Sequence, residues 1–538
     1  MQLPRSETIP QLIQEQTVRY AEREALVAGA VRMTYAQLGH EVQRTARGLA
    51  ALGVRRGDAV AVLMGNRAEW VLSFLALQQL GAISVGLNTW ATAREMEYTL
   101  GHAQVRWIVG VDRFLRADFH AMLGAMQPRA QRLPDLQGIV WVAADAAQPP
   151  RPDAAAGELS WAQMVEGGSV VPQSQVDAAG AAVGPEDVGM LLYTSGSTAA
   201  PKGILLQHRN WIHNAFHIGE RQHVTQGDRL WLAVSMFWSF GCVNAFPNLF
   251  SHGGCVVLQE SFDATEALAL IERERCTIAY ATPNIVQALY EHPDRPRRDL
   301  SSLRSGAAIG TPEQMQMAVD LGLREICNVY GLSETYGNCA VTDAAEPLDI
   351  RLQSVGQPLP GVTARICHLE TGASLPLGEV GEIRVKGPLF KAYYKDPEKT
   401  AESYDADGWF HTGDLGTMDE QGRLYYRGRL KEMVKSGGIN IAPAEVEECL
   451  MRHPGVRSAY VIGVPHPTLD EALAAIIIAE PGVPPTADEL KAHCKREVAA
   501  YKVPLVYHFT TVDALPLTTT GKLQKMNLHT LLPSAQRN

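Results

Sequence analysis

At 538 residues the chain exceeds what one ordinary hydrophobic core holds, so two or more domains are expected. Hydrophobic residues make up 46% and charged residues 20%, and the net charge of −10 comes without a basic block, which argues against nucleic acid as a partner. Eight scattered cysteines without a C-x-x-C indicate neither a disulfide framework nor a zinc site; the polar start and apolar runs far short of the ~20 residues that span a bilayer predict a cytoplasmic chain with no secretory signal and no transmembrane segment.

Thr34 and Gln37 stand at capping-box spacing and open a helix. Leu38, Val42, Ala46 and Leu49 recur on one face of it, and Gly53 suits its C-terminal cap. Residues 59–64 form a continuous apolar run, as in a buried strand. A helical stretch with Trp70, Val71, Phe74 and Leu75 follows, then strand-like residues 83–87. The rhythm returns at 107–111 and 255–258, and predicts a parallel sheet with helices on its faces. Residues 145–185, rich in Ala, Pro, Gly and Asp, read as a surface excursion between subdomains.

After about residue 350, Gly and Pro punctuate strand-like pieces at 382–386 and 424–426, a small β-rich subdomain. Beyond Arg429, Pro443 suits the first turn of a helix carrying Val446 and Leu450. Residues 458–464 and 473–478 look like strands, and Thr486 with Glu489 forms a second capping box before a helix running to about Ala500. The predicted fold class is α/β: a large N-terminal domain of layered α/β subdomains plus the β-rich subdomain, residues 1–430, then a small α+β C-terminal domain, residues 431–538.

The segment Thr194-Ser195-Gly196-Ser197-Thr198-Ala199-Ala200-Pro201-Lys202-Gly203 packs four hydroxyls, two glycines and a lysine between apolar runs. Glycines let backbone N–H groups approach a ligand, hydroxyls add donors and the lysine adds a point charge, which together suit a polyphosphate. The spacing is not that of the common loop G-x-x-x-x-G-K-S/T, because Pro201 and Gly203 occupy two of its required positions. Further along stand Tyr330-Gly331-Leu332-Ser333-Glu334-Thr335, Gly408-Trp409-Phe410-His411-Thr412-Gly413-Asp414, and Gly428-Arg429-Leu430-Lys431-Glu432-Met433-Val434-Lys435-Ser436-Gly437-Gly438. Thr520-Gly521-Lys522 stands near the end. In this order and at these separations, over nearly the whole chain, the set resembles the adenylate-forming superfamily, which includes acyl-CoA synthetases, adenylation domains of peptide synthetases and beetle luciferases.

The resemblance implies an enzyme that activates a carboxylic acid with ATP. The acid becomes an acyl-adenylate with loss of pyrophosphate, and its acyl group then passes to CoA with release of AMP. Thr194, Ser195, Gly196, Ser197, Thr198 and Lys202 would hold the β- and γ-phosphates, and Glu334 with Thr198 would hold Mg²⁺. Tyr330 would stack on adenine, beside a small-residue turn at Ser305-Gly306-Ala307-Ala308, and Asp414 would accept the ribose hydroxyls. Thr335, Arg429 and Lys435 fall in the same nucleotide-binding set, with Arg429 at the ribose or phosphates.

Lys522 would bridge the carboxylate and α-phosphate during adenylation, offsetting charge in the transition state. Lys525 lies three positions on, but Gly521 directly before Lys522 decides the assignment. Lys431 matches the hinge of a mobile C-terminal domain, whose rotation would withdraw Lys522 and bring Ser436-Gly437-Gly438 to the site, where small residues leave room for the pantetheine thiol. The expected catalytic residues are Lys522, Glu334 and Lys202; the expected acyl pocket is Trp238, Ala307, Tyr336 and Gly337. A homodimer is compatible with this reading.

Two positions depart from the family pattern. Ala199 replaces the usual glycine of the phosphate loop. Trp238 stands where many acyl-CoA synthetases have His and amino-acid-activating domains have Asp, so it offers an apolar wall to an uncharged acyl or aryl group and no partner for an ammonium. His213 and His217, four apart, lack the glutamate of H-E-x-x-H and read as a solvated helix face. The alternatives are a ligase that loads a carrier-protein thiol and a catalytically silent acyl- or nucleotide-binding protein; intact Glu334, Asp414 and Lys522 argue against the second.

Overall fold

The computed structural model describes residues 3–533 apart from 145–151, 154–156, 195–200, 437–438, 467–468, 483, 499 and 518–522. Packing divides the chain into two units: Met1–Val362 with Lys386–Tyr404, and Thr363–Val385 with Asp405–Asn538.

The first unit is built on two large sheets. In one, the parallel strands Val188–Thr194, Ile83–Gly86, Ala59–Leu63, Trp107–Val111, Gly138–Val142 and Glu158–Ser160 lie side by side in that order. Lys202–Gln207 and Ala392–Tyr393 extend it antiparallel beyond Val188–Thr194. Ala59–Leu63, Trp107–Val111 and Gly138–Val142 are buried at every position, as strands covered on both faces must be. Helix Ala68–Gln79 is buried at all positions but Glu69, which places it inside the layers. Helix Tyr35–Ala51 opens with the expected capping box of Thr34 and Gln37 and buries Leu38, Val42, Ala46 and Leu49, the Leu and Val side chains contributing roughly 1.5–3 kcal/mol each. Gly53 follows it at φ +82°, as a left-handed cap requires.

The described residues 157–185 form a strand and helices packed on the layer, where composition suggests a surface excursion. Glu158–Ser160 pairs with Gly138–Val142, and helices Trp161–Gly167 and Gln173–Ala181 follow it. Met164 lies so close to helix Tyr35–Ala51 that a Cβ on Gly48 would meet its sulfur at 2.4 Å. Met164 and Val176 are buried, and these few apolar anchors suffice to hold an Ala- and Gly-rich stretch against the layer.

In the second sheet, Glu325–Tyr330, Ser305–Ala308, Ile278–Ala281, Arg229–Leu232, Cys255–Leu258 and Glu24–Ala28 run parallel in that order. Antiparallel strands flank this set: Val31–Thr34 at one end, Ala340–Val341 and Gln357–Pro358 at the other.

The second unit begins with an antiparallel sheet of Thr363–Cys367, Gly381–Lys386, Phe410–Met418 and Leu424–Arg429, the β-rich piece expected. Its other sheet orders Ile439–Ile441, Val434–Ser436, Asp470–Ala479 and Val456–His466, with Val506–Phe509 parallel to Asp470–Ala479. Alternation gives Asp470–Ala479 two faces: Leu473, Ala475 and Ile477 meet helices Pro443–Met451 and Ala487–Glu497 through Val446, Leu450 and Leu490, while Ala472 and Ala474 meet Val464 and Leu532. Pro443 occupies the first helical turn as expected. Thr486 and Glu489 form the second capping box, and that helix stops at Glu497, three residues short of the expected end.

Candidate active site

The parallel strands of the second sheet share one C-terminal edge, where chain ends leave room for a ligand. The segments expected in the site follow these strand ends: Trp238 comes after Arg229–Leu232, and the 331–337 turn comes directly after Tyr330. Ser305–Ala308 corrects an expectation, since it is a buried strand and not a turn. Its small residues answer to a neighbour: a Cβ at Gly306 would stand 1.9 Å from the Ala279 carbonyl oxygen, at φ +146°. Ala307 and Tyr330 are buried in the same layer.

Ser333–Thr335 forms one short turn, with Thr335 Oγ1 accepting the Leu332 N–H at 2.9 Å. That turn presents Glu334 half-buried, and the Tyr393 hydroxyl donates to Glu334 Oε1 at 2.7 Å. The Phe390 N–H donates to the Glu334 carbonyl at 2.8 Å, so both ends of Glu334 are held by the 390–393 segment. Tyr393 pairs with Ile204, and Lys202 Nζ stands 5.6 Å from the Tyr393 ring centroid. One phenol therefore joins the loop lysine to the turn carboxylate. Burial and then the charge of Glu334 hold the Tyr393 hydroxyl well above its ordinary pKa, so it stays a donor. Thr194 and Lys202 face each other at the mouth of the hairpin that carries the phosphate loop. Ser195, Gly196, Ser197, Thr198 and Ala199 lie outside the described residues.

The expected acyl wall is aromatic. Trp238 packs against Trp90 and Phe237 with ring centroids 5.2 Å apart in each case. It caps the π-helix Ser239–Ala245, and Ser333 Oγ donates to Ser239 Oγ at 3.4 Å, which links this helix to the Glu334 turn. Gly337, at φ +91°, lies over the same helix: a Cβ there would come 3.3 Å from Asn244 Nδ2. Tyr336 turns into the core, where its hydroxyl accepts the Gln207 N–H at 2.9 Å. His213 and His217 are half-buried and not the solvated face expected; burial lowers both pKa values.

In the second unit, Asp414 and Arg429 face each other on adjacent strands, with Arg429 Nε 3.2 Å from the buried Asp414 Oδ1. Lys431 is exposed in the short turn Leu430–Glu432. Lys435 is exposed on Val434–Ser436 and its N–H donates to Glu471 at 2.7 Å. Gly437, Gly438 and Lys522 lie outside the described residues.

The profile of the AMP-binding enzyme family matches residues 13–394, and that of the AMP-binding enzyme C-terminal domain matches residues 445–522. The chain belongs to the AMP-binding enzyme family. Among relatives of this AMP-binding enzyme, the acyl-CoA ligase SID4 of Ajellomyces capsulatus is 34% identical, covering 97% of this chain and 91% of the relative. The mitochondrial medium-chain acyl-CoA ligase ACSF2 of Danio rerio is 32% identical, covering 97% and 88%. Among solved structures, the anthranilate CoA ligase AuaEII in complex with anthranoyl-AMP superposes with a TM-score of 0.84 at 28% identity, over 98% of each chain. The AMP-binding enzyme described here is an ATP-dependent acyl-CoA synthetase, an AMP-forming acid–thiol ligase whose substrates are a carboxylic acid, ATP and CoA.

Two parts of this AMP-binding enzyme's constellation were not foreseen. Tyr393 carries no motif; its only sequence trace is the aromatic pair Tyr393-Tyr394 after Phe390. Trp90 gave no signal at all, because only the fold brings it to Trp238.

Proposed function

We propose that this synthetase activates an acid with an uncharged, apolar tail. The observation that carries this reading is the wall of Trp90, Phe237 and Trp238 beside the turn of Glu334. An ammonium against such a wall would be buried without a partner, which is costly enough to exclude free amino acids. Trp238→Ala should enlarge the pocket and shift kcat/KM toward longer or bulkier acids across a series of graded length. An unchanged ranking would remove Trp238 from the pocket, and strong wild-type activity on a zwitterionic amino acid would refute the apolar-tail reading.

On the nucleotide side we assign the phosphates to the 194–203 loop with Lys202, the adenine to Tyr330, and the ribose to Asp414 with Arg429. Glu334 suits Mg²⁺: its carboxylate is a hard oxygen donor oriented by Tyr393, and its backbone carbonyl is held by the Phe390 N–H. When bound, the ion supplies neutralisation of phosphate charge. The chain's own groups do the rest. Lys202 adds a fixed positive charge, Tyr393 orients Glu334, and Lys522 offsets charge as the carboxylate attacks the α-phosphorus.

We further assign residues 1–430 and 431–538 as the parts that change orientation between the two half-reactions, with Lys431 as pivot; its exposure supports this. Lys431→Pro fixes φ near −65° and should leave acyl-adenylate formation normal while slowing CoA transfer. Full overall turnover in that variant would show that the pivot lies elsewhere. The setting we assign is the cytoplasm, since all eight cysteines are free thiols. No helix among the described residues is long and apolar enough to cross a membrane.

A further inference from the structure

Lys525 opens the short helix Lys525–Leu531, three residues after Lys522. Its Nζ lies 2.8 Å from Glu447 Oε1 and 3.5 Å from Glu432 Oε2. The Lys525 side chain is 22% exposed and that of Glu447 12%, so this is no solvated surface lysine. Charges this far out of water are held firmly by their partners, because removing one leaves the other desolvated and unpaired.

Each carboxylate ties Lys525 to a different place. Glu447 sits on helix Pro443–Met451 and also accepts the Val461 N–H at 2.8 Å, which fixes it to strand Val456–His466. Glu432 is the residue directly after Lys431. The described residues on either side of 518–522 are joined: Leu517 and Leu523 pair as an antiparallel bridge, and the Gln524 N–H donates to the Pro516 carbonyl at 2.8 Å. Beyond Lys525, the fully buried Leu528 and Leu532 anchor the chain, Leu532 against Val464, Ala472 and Ala474.

We propose that Lys525 is a positioning residue for adenylation: by bridging Glu447 to Glu432 it makes the pivot segment and the Leu517–Leu523 bridge one rigid lever. A turn at Lys431 then reaches Lys522 without slack. This inference rests on the roles assigned above to Lys431 and Lys522. Misplacement of a reacting group by about 1 Å can cost on the order of 100-fold in rate, so a tether remote from the chemistry affects the step that needs Lys522. Transfer of the acyl group to CoA does not use that lysine and is insensitive to the tether.

The test uses the full-length enzyme and reads two half-reactions: acid-dependent ATP–pyrophosphate exchange, and CoA thioester formation from a supplied acyl-adenylate. Glu432→Gln should slow exchange about tenfold and Lys525→Met about 100-fold, Lys525→Arg should recover most of the loss, and CoA transfer should stay within about twofold in all three. Lys522→Ala runs alongside. If it abolishes exchange alone while a folded Glu432→Gln keeps full exchange, or loses both half-reactions equally, the lever is overturned and the role of Lys522 stands. If Lys522→Ala leaves exchange intact, both fall. Should Lys525→Met fail to fold, Glu432→Gln decides, because it removes a charge from a partly exposed position and keeps the shape of the side chain.

Discussion

Replacing Lys522 with alanine is expected to slow acyl-adenylate formation by about 10²–10³-fold, the usual effect of removing one group that stabilises developing charge in an acyl- or phosphoryl-transfer site. Thioester formation from a supplied acyl-adenylate should stay within about twofold, because in the proposed rotation Lys522 has left the site before CoA attacks and AMP departs. The asymmetry is the informative quantity. A lysine that only supported the fold would weaken both half-reactions together. Single-turnover measurement of pyrophosphate release, set against CoA transfer in the same preparation, reads it directly. Equal loss of the two steps in a folded variant would end the account in which the C-terminal part turns between them.

Glu334→Gln is expected to have the second-largest effect. It keeps the shape of the side chain and an acceptor for the Tyr393 hydroxyl, but removes the charge that suits a divalent cation. Lewis-acid stabilisation is worth several kcal/mol, so adenylation should fall on the order of 100-fold and the Mg²⁺ concentration for half-maximal rate should rise. Calorimetric titration of ATP with and without Mg²⁺ gives an independent reading: the wild type should gain affinity from the ion, and the variant should gain little. An unchanged Mg²⁺ dependence would take Glu334 out of the metal's coordination. Tyr393→Phe should act in the same direction but more weakly, since it frees the carboxylate without discharging it.

How much of this was readable in the sequence depends on whether the cause was local. The capping boxes at Thr34 and Thr486 were legible because both partners lie within four residues. Buried parallel strands such as Ala59–Leu63 were legible as continuous apolar runs. Ser305–Ala308 was expected as a turn from the resemblance alone, and its small residues are imposed by the backbone of Ile278–Ala281 passing at contact distance, which no local pattern records. The helices within 157–185 leave no periodic signature because Trp161–Gly167 buries Met164 alone and Gln173–Ala181 only Val176 and Gly180. Of the residues proposed for the site, the motifs single out Lys202, Glu334, Asp414 and Arg429, and the structure pairs Asp414 with Arg429. The connection from Glu334 to Lys202 runs through Tyr393, 59 residues along the chain from Glu334, and a contact of that separation is written in topology and not in any local pattern.

The most direct test of the central claim is a single assay on the wild-type enzyme: acid-dependent exchange of pyrophosphate into ATP in the absence of CoA, followed by addition of CoA. With an uncharged aryl or aliphatic acid, exchange should proceed without CoA, and CoA should then yield acyl-CoA and AMP in equal amounts. Formation of ADP and phosphate instead, or exchange that needs CoA from the start, would contradict an acyl-adenylate intermediate and the roles built on it.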